Sequence, residues 1–138
     1  MARKDIYHQN VINALKKEGW TITDDPLLLV YGRHNLYVDL GAERPIGAEK
    51  DGQKIAVEIK SFVSSSPVYD LYLAVGQYNV YRDIMTAREM PHMLYLAIPQ
   101  RTYAKIFSDK LGELVRLRQK LSLLVFNEKK EEVLQWIK

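Results

Sequence analysis

Apolar positions along residues 4–18 recur at helical spacing. Ile6, Val11, Ile12 and Leu15 approximate a 3.6-residue period, and Gly19 follows as a stop. From Trp20 to Tyr31 the pattern becomes extended, with Thr21, Ile22 and Thr23 and then a run from Leu27, broken at Pro26. Residues 36–40 predict a strand. Residues 69–88 predict a long helix, with Leu73, Gln77, Tyr81 and Met85 at steps of four and Leu71, Val75 and Val80 beside them. Residues 93–98 form a short apolar run ended by Pro99, which predicts another strand. Residues 101–119 predict a helix broken near Gly112. Residues 121–126 and 133–137 predict two last strands around a polar turn at 127–130.

The pattern between residues 39 and 60 is the most informative. Asp51-Gly52 is a two-residue hairpin signature between alternating runs. Pairing Lys50 with Gln53 places Leu40, Ala42, Ile46, Ala48, Ile55, Val57 and Ile59 on one face, with Arg44 as the exception. The other face then carries Asp39, Glu43, Glu49, Lys54, Glu58 and Lys60. One face is apolar and the other ionic, as a strand pair with one buried face requires. The element order, with a helix crossing over between strands, implies a mixed α/β sheet covered on both faces.

Composition narrows the function. The chain has 138 residues, 47% hydrophobic and 27% charged, which fits one globular domain over residues 1–138. Ser64-Ser65-Ser66-Pro67 is too short for an interdomain linker and reads as a connection within that domain. There is no cysteine, which excludes disulfides, a thiol nucleophile and Cys-ligated metal. No apolar run approaches a membrane span, and the start MARKDIYHQN has no apolar core segment of a secretory signal. A cytoplasmic protein with no membrane contact is expected. The net charge of +3 is mild and permits nucleic acid as a partner without requiring it. A homo-oligomer is equally compatible with the sequence.

The ionic face carries the candidate chemistry. Carboxylates gathered on one side of a small sheet repel one another unless a cation lies between them. Lys60 supplies one positive charge. A divalent ion would supply two, and hard oxygen ligands select Mg²⁺ or Mn²⁺. Asp39 is followed after 18 residues by Glu58-Ile59-Lys60. Taken alone, Glu-x-Lys also suits a solvated strand face, but the run Ile55-Ala56-Val57 is hard to leave exposed.

This pattern resembles the PD-(D/E)xK motif of restriction-endonuclease-like nucleases, with Val38 standing where the motif has proline. The resemblance implies an αβββαβ core. It also implies a metal held by Asp39, Glu58 and the Ile59 carbonyl, with Lys60 assisting the attacking water. Glu43 and Glu49 are alternates for the first acid, since in the inferred register Glu43 faces Lys60. Gln77 and Tyr81, four apart on one helix face, are similar to the Q-x-x-x-Y element of the RecB-like and lambda-exonuclease-like branch. They serve the site or plain helix packing. His8 reads as a helix-surface or capping histidine, with an auxiliary place beside the metal as the alternative. Tyr78 and Arg82 are candidate nucleic-acid contacts. So are Arg116, Arg118 and Lys120, in the densest basic stretch, against a solvated helix face as the other reading.

The runs Leu36-Tyr37-Val38-Asp39-Leu40-Gly41-Ala42-Glu43-Arg44 and Ile55 to Phe62, with Ala74-Val75-Gly76-Gln77-Tyr78 and Val133 to Ile137, resemble the XisH family of cyanobacterial excision controlling factors. That resemblance implies a part in excision of the fdxN DNA element during heterocyst differentiation. It also implies a separate site-specific recombinase and a companion XisI-like protein as partners. Two other functions stay open: a non-catalytic subunit binding DNA and the companion, and a toxin-like RNA nuclease.

Overall fold

The computed structural model describes residues 4–46 and 52–138. Helix α1 (His8–Lys17) leads into strands β1 (Thr21–Asp24), β2 (Leu27–Tyr31), β3 (His34–Val38), β4 (Leu40–Arg44) and β5 (Gln53–Ile59). Helix α2 (Pro67–Ala87) crosses to β6 (Met93–Pro99). A short α3 (Gln100–Thr102), a π-turn (Tyr103–Phe107) and α4 (Lys110–Arg118) cross to β7 (Leu123–Asn127) and β8 (Glu132–Ile137). The main sheet has the order β1-β4-β5-β6-β7-β8, and β2 and β3 form a separate hairpin. Strands β5, β6 and β7 are parallel, while β1, β4 and β8 run antiparallel to their neighbours. The expected αβββαβ order is present, and the fold is restriction-endonuclease-like at the level of this core. No helix among the described residues is long and apolar enough to cross a membrane.

Alternation along the central strands gives each face of the sheet its own core. Ile55, Val57, Ile59, Tyr95, Ala97, Leu124 and Phe126 pack against Val11 and Leu15 of α1. Ala56, Leu94, Leu96, Ile98, Leu123 and Val125 pack against Leu71, Ala74, Tyr78 and Met85 of α2. Strands covered on both faces carry continuous apolar runs, and these do. Helix α2 starts two residues before the predicted position. Ser66 caps it by accepting from the Tyr69 N–H, and Pro67 fills the first turn, where no donor is lost.

Two expectations need correction. The β4–β5 ladder pairs Leu40 with Val57 and Arg44 with Gln53, so Lys50 does not pair with Gln53. Pro45 has no N–H for the ladder and ends β4 there. Asp51 of the expected turn lies outside the described residues, as do Ala48 and Glu49. The slip relative to the inferred register is an even number of residues, so the side chains of β4 and β5 keep their expected faces. The break in the second crossover lies at Ser108 and Asp109, where the Asp109 side chain caps α4 by accepting from the Lys110 N–H. Gly112 sits inside α4 because a Cβ there would lie 1.9 Å from the Ile106 carbonyl oxygen. The close approach of α4 to the π-turn needs glycine.

Tyr78 ties the second core together. It is 2% exposed, and its hydroxyl donates to the Leu94 carbonyl (2.9 Å) and accepts from the Ser122 N–H (3.1 Å). One phenol thus links α2 to the starts of β6 and β7. Tyr78→Phe leaves both backbone groups unpaired in the interior and is expected to destabilise the protein by roughly 1–3 kcal/mol in urea unfolding. An unchanged unfolding midpoint would remove this role.

Candidate metal centre

The residues of the Glu-x-Lys motif occupy the carboxyl end of β5, the end at which parallel strands commonly present ligand sites. Glu58 shares the α2 face with Ala56 and is 5% exposed. Asp39 is the single residue between β3 and β4. The corrected register brings these two acids together. The Asp39 N–H donates to Glu58 Oε1 (3.2 Å), and the Ile59 N–H donates to Asp39 Oδ2 (2.8 Å). Each carboxylate is gripped by the backbone of the other's strand, with its second oxygen left over. Lys60 Nζ stands 3.6 Å from Glu58 Oε2.

These groups line one cleft with the Ile59 backbone, Gln77 and Tyr81 from α2, and His8 from α1. Seven of the candidates named from the sequence therefore share one site. The others do not. Glu43 lies opposite Lys54 on the ladder, away from the cleft, which leaves Asp39 as the acid beside Glu58. Glu49 lies outside the described residues. Tyr78 is core. Arg82 donates to the Lys120 carbonyl and to Asn79 Oδ1, and its guanidinium stacks on Tyr78. Arg82 and Lys120 border a second cavity with Met93 and Ser122, at the amino ends of β6 and β7. Arg116 and Arg118 fall in the last turn of α4, which leads to that same end. The basic stretch and the carboxylates thus sit at opposite ends of the parallel strands.

The cleft also holds residues the sequence pattern did not single out. Asp25 Oδ1 lies 2.7 Å from His8 Nε2, and Lys4 Nζ lies 3.8 Å from Asp25 Oδ2. Asp5 accepts from the Tyr7 and Ser61 N–H groups and so fixes the end of β5. Tyr37 lines the rim. Only the proximity of His8 to Asp5 in the sequence hinted at this cluster. Asp25 reaches the site through a contact 17 residues away in the chain.

Burial and mutual repulsion set the electrostatics. Desolvation, then the charge of Asp39, push the Glu58 carboxyl up to about 8, against the opposing pull of Lys60. Desolvation also raises Asp39, against the Ile59 N–H, His8 and Lys60. Burial and the two carboxylates push the Tyr81 phenol up to about 12, so it stays a protonated donor. The buried Gln77 Oε1 finds no hydrogen-bond partner among the described residues. Paired hard oxygens that resist ionisation, next to an unsatisfied acceptor, fit a hydrated divalent cation. Among the described residues no three His, Asp or Glu side chains form a metal-binding group. A cation here would take Asp39, Glu58 and the Ile59 carbonyl, with water in its other positions, as suits Mg²⁺.

Known proteins match this chain closely. A family model described as "XisH protein" matches residues 1–134. The chain belongs to the XisH family. An XisH family protein from Nostoc punctiforme shares 37% identity and a TM-score of 0.88, covering 97% of this chain and 100% of its own. An fdxN element excision controlling factor protein from Anabaena variabilis shares 38% identity and a TM-score of 0.87, covering 98% of this chain and 100% of its own. No curated protein matches the chain.

The raised carboxyls have a thermodynamic consequence in the cation-free protein. Below about pH 4.5 Glu58 is protonated in the folded and unfolded states, and its burial costs nothing through ionisation. Between there and about pH 8 the unfolded chain releases the proton while the fold retains it. Stability therefore falls as pH rises through this window, and Asp39 acts in the same direction. Lys60, His8, Asp5 and Tyr81 are the charged or titratable neighbours. Glu58→Gln is expected to flatten the decline, gaining up to a few kcal/mol near pH 8 in urea unfolding without cation. Parallel pH profiles for the two proteins would count against this assignment.

Proposed function

We propose that this protein is a Mg²⁺- or Mn²⁺-dependent DNA endonuclease, or DNA-processing factor, that supports site-specific excision of a DNA element. The observation that carries the reading is the pairing of half-buried Asp39 with buried Glu58, locked by reciprocal backbone hydrogen bonds with Lys60 3.6 Å from Glu58. The kinship with a protein described as an fdxN element excision controlling factor supplies the biological setting. Strand exchange would fall to a separate site-specific recombinase, with a companion XisI-like protein as a regulator.

When bound, a divalent cation supplies Lewis-acid polarisation of the phosphate and lowers the pKa of water. The chain's own groups do the rest. Asp39 and Glu58 hold position because backbone donors occupy one oxygen of each. Lys60 offers ammonium donors to the attacking water or to a phosphate oxygen gaining charge. Gln77 aims an unsatisfied acceptor oxygen that suits a water donor. Tyr81 remains protonated and can donate a hydrogen bond.

A second reading has a specific support. The site lacks a third carboxylate or histidine ligand among the described residues, which also suits a non-catalytic subunit that binds DNA and its companion. Nicking of supercoiled plasmid separates the two. Wild type with Mg²⁺ or Mn²⁺ is expected to nick, and Lys60→Ala to lose activity on the order of a hundredfold or more, each with and without the companion. Calorimetric cation titration is expected to vanish in Glu58→Ala while the fold persists. Intact plasmid in every arm alongside normal cation binding favours the regulatory subunit.

A further inference from the structure

The β2–β3 hairpin stands apart from the main sheet, and its two faces differ. Leu27, Leu29 and Val38 turn inward and join the core beneath α2. The cross-strand pairs Leu28–Tyr37 and Val30–Asn35 share the opposite face. On that face Leu28, Val30 and Tyr37 are 44%, 44% and 43% exposed. A contiguous apolar surface of this kind usually marks a binding site.

Its position and charge indicate what binds. Tyr37 lines the rim of the carboxylate cleft, and the chain passes from Val38 directly to Asp39. The face begins at the metal centre and runs outward for about 15 Å, the length of five extended residues. Residues 26–38 contain no Asp or Glu, and the turn at the far end carries Arg33 beside His34. A duplex turns its phosphates outward and is gripped by rows of cations. This face offers one aromatic ring, Tyr37, beside aliphatic groups, with cationic side chains only at its end. An unpaired strand, by contrast, presents base faces to aromatic rings and needs only occasional phosphate contacts.

We propose that the outer face of the β2–β3 hairpin is a stacking platform for an unpaired nucleic-acid strand that feeds the cleft. Tyr37 stacks on the base next to the phosphate held at Asp39 and Glu58. Leu28 and Val30 cover the following base and sugar, and Arg33 pairs with a phosphate farther along. This rests on the reading of the cleft as a phosphodiester site and adds the form of its substrate.

The test is fluorescence anisotropy in Ca²⁺ with a labelled oligodeoxythymidine, its RNA counterpart and the matching DNA duplex. Wild type is expected to bind the single strands more tightly than the duplex. Tyr37→Ala should weaken single-strand binding roughly tenfold. Tyr37→Phe, which keeps the ring, should retain it, and Arg33→Ala should reduce the salt dependence. Calorimetric cation binding should be the same in Tyr37→Ala as in wild type. Preference for the duplex, absence of binding to any probe, or equal affinity in Tyr37→Ala overturns the proposal. Loss of companion binding alone in Tyr37→Ala would give the face to a protein instead. Plasmid that stays intact while Tyr37-dependent binding holds refutes the nuclease reading and leaves the platform standing.

Discussion

Two backbone hydrogen bonds organise this molecule: the N–H of Asp39 on the carboxylate of Glu58, and the N–H of Ile59 on the carboxylate of Asp39. They force two acids to share a poorly solvated space. Without them, repulsion would push the side chains apart toward water, and the cleft would hold no paired oxygens. The bonds exist only because β4 and β5 are antiparallel in one particular register. The register in turn depends on a sheet whose neighbouring strands β6 and β7 are buried on both faces and cannot slide. Core packing is thereby converted into the placement of charge.

The surrounding elements each limit what the pair can do. Helix α2 closes over Glu58 and contributes an amide and a phenol, while α1 contributes an imidazole held by Asp25. Lysine on the same strand face as Glu58 offsets part of the negative charge. The balance still leaves the acids reluctant to ionise, so the fold stores an unfavourable interaction at the cleft. Such local conflict within an otherwise consistent fold is characteristic of functional sites.

Much of this was legible in the sequence because a strand has a strict period of two. Glu58 and Lys60 had to share a face, and an even slip of register could not separate Asp39 from that face. Gln77 and Tyr81 were legible from helical spacing. The register itself was not, because Asp51-Gly52 suggested a tight turn while Pro45 ended the ladder earlier. That choice decided between Glu43 and Asp39 as the partner acid. Tyr78 and Arg82 looked like surface groups, since a helix with apolar residues on several sides does not announce which face is buried. Their end of the sheet follows from parallel strand order, which no local pattern carries. Asp25 joined the site through a contact distant in the chain, and nothing near it in the sequence points there.

Both feet of the β2–β3 hairpin are cleft acids. Asp25, bonded to His8, precedes it, and Asp39 follows it. Only Pro26 lies between Asp25 and β2, and no residue lies between β3 and Asp39. The hairpin and the carboxylate cleft therefore have no slack between them. Whatever fixes the feet of the hairpin also fixes two of the acids that line the cleft.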